Sequence, residues 1–516
     1  MQKKQKILWI DDEIELLHPY LIFLEEKGYE LSTVTNGIDA LEIINSQCFD
    51  IVFLDENMPG ISGLETLSKI KQTNPNLPVV MITKNEAENI MDLAIGNQIA
   101  DYLTKPVNPS QILLTLKKNL HSKDIVKEQI TTTYSTEFAQ ISNRINFANS
   151  SEEWTDIYKK LVFWDLRLDS TQNEMHNLLL SQKEDANLSF SKYISKNYLS
   201  WFEHPDERPL ISPDVFKKRI FPLLDEGNKV FLIVIDNFRY DQFKMVQEII
   251  GDYFTFDTEE LCYTILPTTT QYARNALFAG LMPLQIKEML PSLWVDELDD
   301  ERKNNNEEAL IAALLERYRR KINFSYHKIN NSAGGEKLLS QISSLKANPL
   351  NVCVLNFIDM LSHARTDSKM IRELAQSEAA YRALAVSWFK HSSTFSLFKE
   401  LAANGFKVVV TSDHGTIKVS KPVKVIGDRN TSTNLRYKVG KALNFNKRDV
   451  FEITQPSKAL LPSPDISSSY IFATGGNFMV YPNNLNYHVN YFKNTFQHGG
   501  ISLEEMLVPL VVMSGK

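Results

Sequence analysis

The stretch Val408-Val409-Val410-Thr411-Ser412-Asp413-His414-Gly415-Thr416, VVVTSDHGT, sets the reading of the larger part of this 516-residue chain. A short β-branched run with no polar alternation fits a strand buried on both faces, as in parallel sheets covered by helices. In such sheets functional groups gather just beyond the carboxyl ends of strands. Here the run stops at two hydroxyls, a carboxylate and an imidazole, the last two being common metal ligands. The same shape recurs. FLIVIDNFRYD (231–241) puts Asp236 at a strand end, and VLNFIDMLSHA (354–364) does so for Asp359, with His363 four residues on. That spacing puts both on one side of a helical turn. FQHGGISLEEMLVPLVV (496–512) puts His498 before two glycines and a final apolar stretch. The expected strands are Val230–Ile235, Val352–Phe357 and Lys407–Thr411.

The N-terminal segment repeats a smaller β–α pattern. Strands are expected at Lys6–Ile10, Leu31–Val34, Asp50–Leu54, Pro78–Thr83 and Ala100–Leu103, with helical periodicity at Glu13–Lys27 and Gly63–Gln72. Five such repeats imply a parallel sheet with helices on both faces. Between the two α/β segments, residues 110–204 contain neither proline nor glycine, in a chain with 20 and 19 of them. Absence of both helix breakers over that length argues for a helical connector, with breaks at residues 149–151 and 185–187, acting as a spacer.

Bulk properties narrow the class. The chain is 43% hydrophobic and 23% charged, ordinary for globular protein, and too long for one hydrophobic core. No apolar run reaches the ~20 residues of a membrane span, so no membrane insertion is expected. The start MQKKQKILWIDDE fails as a signal peptide because acids interrupt its apolar run. Cys48, Cys262 and Cys353 have no metal or disulfide spacing and suit a reduced, cytoplasmic setting. A net charge of −7 and the lack of a basic recognition helix argue against direct DNA binding.

Three carboxylates gather on the first sheet's rim: Asp11 and Asp12 after strand one, and Asp55 after strand three. They would repel unless a hard cation such as Mg²⁺ neutralised them. Thr83 ends strand four, Lys105-Pro106 follows strand five, and Met58-Pro59-Gly60 follows Asp55. Together these residues closely resemble the receiver domain of bacterial two-component response regulators. The resemblance implies that Asp55 accepts a phosphoryl group from a sensor histidine kinase. It implies Mg²⁺ held among the acidic rim by Asp12, Asp55 and the Asn57 main-chain carbonyl, with Asp11 beside them. It also implies Thr83 and Tyr102 as switch residues, Lys105 as the phosphate-facing cation, and a cis Lys105-Pro106 bond. One departure is Lys84, where the family usually has a small residue, which bears on the accessibility of Asp55 and the lifetime of its phosphoryl group.

The second constellation adds TILPTTTQYARNALFAGLMP (264–283), a hydroxyl cluster opening a helix over Tyr272 to Ala279. With the strand-end ligands it resembles the alkaline phosphatase superfamily of binuclear-zinc phosphatases and phosphodiesterases, and within it the PglZ-type branch, over most of residues 208–516. The resemblance implies one zinc among Asp236, Thr270, Asp413 and His414, and another among Asp359, His363 and His498. Phosphodiesterase members place the nucleophilic threonine thirteen residues before a G-L-x-P proline. Thr270 has that distance to Pro283, against Thr268 or Thr269 as alternatives.

Following His414, residues 416–443 carry Lys418, Lys421, Lys424, Arg429, Arg436, Lys438 and Lys441. This reads either as a solvated loop or as a basic lip steering an anionic substrate. Arg274, Arg429 and Arg436 are candidate substrate contacts.

The expected architecture is therefore α/β throughout: a doubly wound (βα)5 receiver at 1–122, a helical connector at 123–207, and a larger alkaline-phosphatase-like domain at 208–516. The expected activity is zinc-dependent phosphodiester hydrolysis of a small nucleotide-like substrate. The alternative is a zinc-stabilised, non-catalytic module that relays the phosphorylation signal to a protein partner. A receiver fused to a PglZ-type domain also resembles regulators tied to type IX protein secretion. That implies phosphorylation-dependent homodimerisation and a downstream secretion or transcription component.

Overall fold

A computed structural model describes residues 4–84, 99–120, 122–168, 174–296, 304–367, 377–428 and 431–516. The chain divides into two compact units, Met1–Thr133 and Tyr134–Lys516.

The first unit is built on five parallel strands, β1 (Lys6–Ile10), β2 (Glu30–Val34), β3 (Ile51–Asp55), β4 (Val79–Thr83) and β5 (Asp101–Thr104), in the order β2-β1-β3-β4-β5. The central strands are apolar on both faces because both are covered. Ile7, Trp9, Ile51 and Phe53 pack into one buried cluster, and Leu8, Ile10, Val52 and Leu54 into another. Helix starts are fixed locally. Asn36 accepts hydrogen bonds from the amides of Ile38 and Asp39, and Ser62 with Glu65 forms a capping box. Parallel register pairs Ile10 with Leu54 and Asp55 with Ile82, so the residues following β1, β3 and β4 emerge along one edge. The expected helix from Glu13 begins as a 3₁₀ turn, Ile14–Leu17, before His18–Glu26.

The second unit holds a six-stranded mixed sheet. Its strands are β6 (Val230–Ile235), β7 (Phe254–Tyr263), β8 (Phe324–Ile329), β9 (Leu350–Leu355), β10 (Lys407–Thr411) and a C-terminal strand, Leu507–Gly515. The order is β7–C-terminal strand–β10–β6–β9–β8. The strands β10, β6, β9 and β8 run parallel, and the C-terminal strand runs antiparallel to β10 and β7. Val230, Leu232, Val234, Val352, Val354 and Val409 anchor the main core. Both boundaries of β9 differ from the expected Val352–Phe357; it starts at Leu350. β9 ends at Leu355, and Phe357 begins the helix Phe357–Asp367, so Asp359 lies in that helix's first turn rather than at a strand end.

The connector is not a spacer. Its helices Ser151–Leu168 and Glu174–Asn197 belong to the same compact unit as the sheet. Trp154, Tyr158, Trp164 and Phe190 are buried, and the Tyr263 hydroxyl at the end of β7 donates to the Ser151 carbonyl at 2.8 Å. The break expected at residues 185–187 is absent, since Glu174–Asn197 runs through it. Asn187 is used for tertiary bonding instead: its amide donates to Glu504 at 3.0 Å and its oxygen accepts from the Leu503 amide at 2.8 Å.

Candidate functional site

At the edge of the first sheet, oxygens of Asp11, Asp12 and Asp55 lie within 4.8 Å of one another. Lys105 reaches in from the end of β5, 2.9 Å from Asp11 and 3.1 Å from Asp55. Burial pushes the Asp55 carboxyl up to about 6 despite the hydrogen bond from Lys105, with Asp11 and Asp12 adding repulsion. Such a donor set, all oxygen and short of positive charge, suits Mg²⁺. Asn57 sits in the turn two residues beyond Asp55. The Thr83 hydroxyl donates to the Glu56 carboxylate, and Tyr102 is 43% exposed, so its ring faces outward. Lys84 forms an exposed ion pair with Glu13 at 2.9 Å, and the Lys105-Pro106 bond is cis.

The second site lies where β6, β9 and β10 end. Asp236, Asp413 and His414 form one group of potential ligands, and Asp359, His363 and His498 another. His414 and His498 connect the groups by stacking their rings at 4.3 Å. Each of these two rings has its Nδ1 beside a main-chain carbonyl, Gly415 at 3.1 Å and Thr268 at 3.2 Å. A proton on Nδ1 would donate to that carbonyl and leave the Nε2 lone pair facing the carboxylates, the orientation a metal-binding imidazole needs. Nε2 of His414 is 3.7 Å from Asp236, and Nε2 of His498 is 3.7 Å from Asp359. Burial, reinforced by His414, holds His498 down at about 3, so it is neutral at pH 7. Asp236 is raised well above the usual carboxylate range, because burial outweighs the attraction of Arg274. Carboxylates and imidazoles at these distances fit zinc.

The three threonines separate by environment. Thr268 receives the Gly499 amide at 2.9 Å and donates to the Gly500 carbonyl at 3.0 Å. Thr269 is buried, with its hydroxyl unpaired. Thr270 lies 3.2 Å from His414 Nε2 and 3.4 Å from Asp236, at the start of a π-helical turn, Thr270–Arg274, that continues as Asn275–Ala279. Gly499 adopts φ +121°, a conformation unfavourable for other residues, and lets the backbone beside His498 pass Thr269 and Tyr437.

Two candidate substrate contacts are corrected. The Arg274 guanidinium is buried and turned to carboxylates, contacting Asp236, Asp413 at 2.9 Å and Glu307 at 3.0 Å. Arg436 is equally buried and pairs with Glu505 at 2.5 Å. Both guanidinium groups are turned to buried acids and away from an incoming phosphate. Arg429 lies outside the described residues. The basic segment is likewise largely occupied internally. Lys421 pairs with Asp449 at 2.8 Å and Lys441 with Asp465 at 2.7 Å, while Lys438 is buried and donates to the Ser432 carbonyl at 2.9 Å.

Asn237 was not singled out from sequence. In a left-handed conformation (φ 62°), it donates its amide N–H to Asp413 at 3.3 Å and its side-chain amide to Asp359 at 3.2 Å, tying the groups together. The available signal was an Asn directly after a strand-end Asp, since Asn tolerates this conformation.

Three segments of the chain match known families. Residues 7–117 match the response regulator receiver domain family and residues 124–202 the PorX response regulator linker domain family. Residues 215–513 match the family described as the BREX system PglZ alkaline phosphatase-like domain. The transcriptional regulatory protein ZraR of Klebsiella oxytoca is 31% identical over 137 residues, 27% of this chain and 31% of ZraR. The CpxR homologue of Haemophilus influenzae is 34% identical over 114 residues, 22% of this chain and 48% of that protein. The chain thus spans less than half the length of either relative. Among solved structures, TrrA of Thermotoga maritima, in complex with Mg²⁺ and BeF, is 33% identical with a TM-score of 0.21, covering 22% of this chain and 99% of that one. A receiver domain protein from Clostridium thermocellum is 30% identical with a TM-score of 0.22, covering 23% and 98%. No helix among the described residues is long and apolar enough to cross a membrane. With more than half of its length in the PglZ alkaline phosphatase-like domain, behind a receiver and a PorX-type linker, this chain belongs to the PglZ family as a PorX-like response regulator.

Proposed function

We propose that this response regulator is phosphorylated on Asp55 by a sensor histidine kinase and that its PglZ domain is a zinc-dependent phosphodiesterase using Thr270 as nucleophile. The observation that carries the reading is the Thr270 hydroxyl facing His414 and Asp236, beside a buried ligand group and a second, more open one that includes the exposed His363. Asp236, Asp413 and His414, with Thr270, would hold one zinc; Asp359, His363 and His498 would hold a second. Bound there, zinc supplies Lewis-acid stabilisation of the nucleophile and of charge on the phosphoryl oxygens. The protein's own residues do the rest. Nδ1 bonding of His414 and His498 to main-chain carbonyls fixes their rings, Arg274 orients the acids, and Asn237 keeps the two groups in register. Thr270 is the first residue of the helical segment 270–279, whose positive N-terminal end would favour negative charge on its oxygen and on an incoming phosphate. Threonine nucleophiles suit phosphodiesters by family resemblance, and a small nucleotide-like diester is the proposed substrate class.

The test is Thr270→Val. Zinc content should hold near two per chain while hydrolysis of bis-p-nitrophenyl phosphate falls about a hundredfold or more, as for loss of one transition-state group. Full zinc with undiminished hydrolysis would leave the domain as an interaction module. Phosphorylation-driven dimerisation is proposed on the receiver's behalf, and sedimentation with and without beryllofluoride checks it: an unchanged monomer rules it out. Control of type IX secretion is the proposed output, and secretion unaffected by Asp55→Ala would exclude it.

A further inference from the structure

Beneath the linker runs a buried charge network that the zinc chemistry does not use. The linker contributes Asp165 and Lys183, 2.8 Å apart. The catalytic domain contributes Arg239, Asp241, Glu378, Arg382 and Glu504. Arg382 bridges Asp165 at 3.0 Å and Asp241 at 3.1 Å, and Asp241 accepts two donors from Arg239 at 2.5 and 3.0 Å. Arg239 also meets Glu378 at 2.7 Å, and Lys183 reaches Glu504 at 3.7 Å. Arg239 and Arg382 are at most 1% exposed, so these charges have no solvent to fall back on.

Both ends of the network finish on ligand-bearing loops. Arg239 lies three residues after Asp236, and its guanidinium also donates to the Thr416 carbonyl at 3.4 Å, just past Asp413-His414. It further lies over the rings of Tyr381 and Phe496, 5.6 and 5.5 Å from their centroids, two residues before His498. On the other side, Glu504 belongs to the turn that follows His498, and linker Asn187 holds that turn through Leu503 and Glu504. The two loops touch at Gly415, where a Cβ would lie 2.0 Å from the Glu504 carbonyl oxygen, and the Gly415 amide donates to the Glu505 carbonyl at 3.0 Å. Arg239 thus touches the loop after β6, which carries Asp236, and the loop after β10, which carries Asp413 and His414, while Glu504 follows His498 on the other side.

We infer that Asp165 and Lys183 of the linker are positioning residues for the zinc centre, setting the first ligand group against the second through Arg382–Asp241–Arg239 on one side and Glu504 on the other. Buried ion pairs add little net stability against apolar replacements, yet removing one partner leaves a charge that must move or be neutralised. Loss of Lys183 therefore displaces Glu504 and Asp165, and with them the His498 turn and the Arg239 loop. Small displacements of a two-metal centre cost rate more than binding.

This inference rests on the proposed zinc site, and its test separates the two. The full-length chain is loaded with Co²⁺ in place of zinc, and its visible d–d spectrum reads ligand geometry without needing turnover. Lys183→Met and Asp165→Asn should bind two metals per chain yet show a shifted spectrum. Lys183→Arg, which keeps the charge, should return the parental one. If the parent hydrolyses bis-p-nitrophenyl phosphate, kcat in the first two variants should fall about tenfold with KM changed less than twofold. Asn187→Ala, which removes no charge, provides the same comparison should either variant fail to fold. A parent that binds no Co²⁺ defeats the zinc reading itself. Two bound ions with parental spectra in the folded variants, whatever their melting temperatures, overturn the positioning role alone.

Discussion

Arg274→Met separates a residue that contacts substrate from one that neutralises the site. The side chain is 1% exposed and its guanidinium serves Asp236, Asp413 and Glu307 together. Methionine keeps much of the volume and removes the charge, leaving three acids with one remaining cation, Lys328, 2.8 Å from Glu307. Breaking a buried pair by removing one partner costs about 3–5 kcal/mol. For a unit the size of Tyr134–Lys516, the entropy of unfolding is about 0.8 kcal/mol/K, so Tm should drop by about 4–6 °C. That drop belongs to metal-free protein. Zinc placed between Asp236 and Asp413 would supply positive charge where the guanidinium was lost, so the deficit should shrink by half or more at saturating zinc. Calorimetry of parent and variant, each in chelator and in zinc, gives the four numbers required. A substrate-contacting arginine would instead leave Tm nearly unchanged in chelator and raise KM. An equal deficit with and without zinc would also refute the reasoning, since it would mean that metal and guanidinium do not share these carboxylates.

Lys438 gives a pH-dependent prediction. Burial lowers its ammonium from the usual 10.5 to about 7. Between those values the unfolded chain binds the proton and the folded one does not, so the folded state gains stability as pH rises from about 7 to 10. Below pH 7 the buried charge costs about 2–5 kcal/mol, the upper end being the full shift at 1.36 kcal/mol per unit. Lys438→Met should therefore be more stable than the parent by urea denaturation at pH 6, with the gap closing towards pH 10; a gap independent of pH would count against it. In the receiver, Glu56→Ala should break the bond between the Thr83 hydroxyl and Glu56 and remove a negative charge beside Asp55, raising beryllofluoride affinity by about three- to tenfold, on the scale of one ordinary hydrogen bond. Equal or weaker binding by calorimetry would show that the Thr83–Glu56 bond does not hold the receiver inactive.

The sequence was legible wherever a property is local. Strands β1, β6 and β10 were expected at their observed boundaries, because an uninterrupted apolar run ending in a carboxylate needs no partner to be recognised. The two ligand groups were expected from the family resemblance, to which the strand-end positions of Asp236 and Asp413 contributed. What could not be read depends on distant partners. Asn187 looked like a helix break by composition, but its side chain is satisfied by Leu503 and Glu504, over three hundred residues away. Arg274 and Arg436 looked like anion receptors because a sequence shows charge and not burial. The cationic segment after His414 likewise could not reveal that Asp449, Asp465 and Glu505 would take up Lys421, Lys441 and Arg436. Asn237 shows its role only once Asp359 and Asp413 are neighbours.

Burial also distinguishes the two acidic clusters in one chain. In the receiver, Asp12 is exposed and Asp55 sits at the sheet edge, so a hard cation can enter and leave with its water. In the PglZ domain, Asp236, Asp413 and His414 are all buried, and Arg274 already supplies part of their counter-charge. Taking a dication out of such a place means leaving buried carboxylates to protonate, which is the direction in which Asp236 is already pushed. On the proposed function, the first cluster would suit a metal that exchanges, and the second one that stays. On that reading a receiver signal would act on the geometry of the site rather than on its metal content, through the linker charges that lead to Thr416, beside Asp413-His414, and to Glu504, after His498.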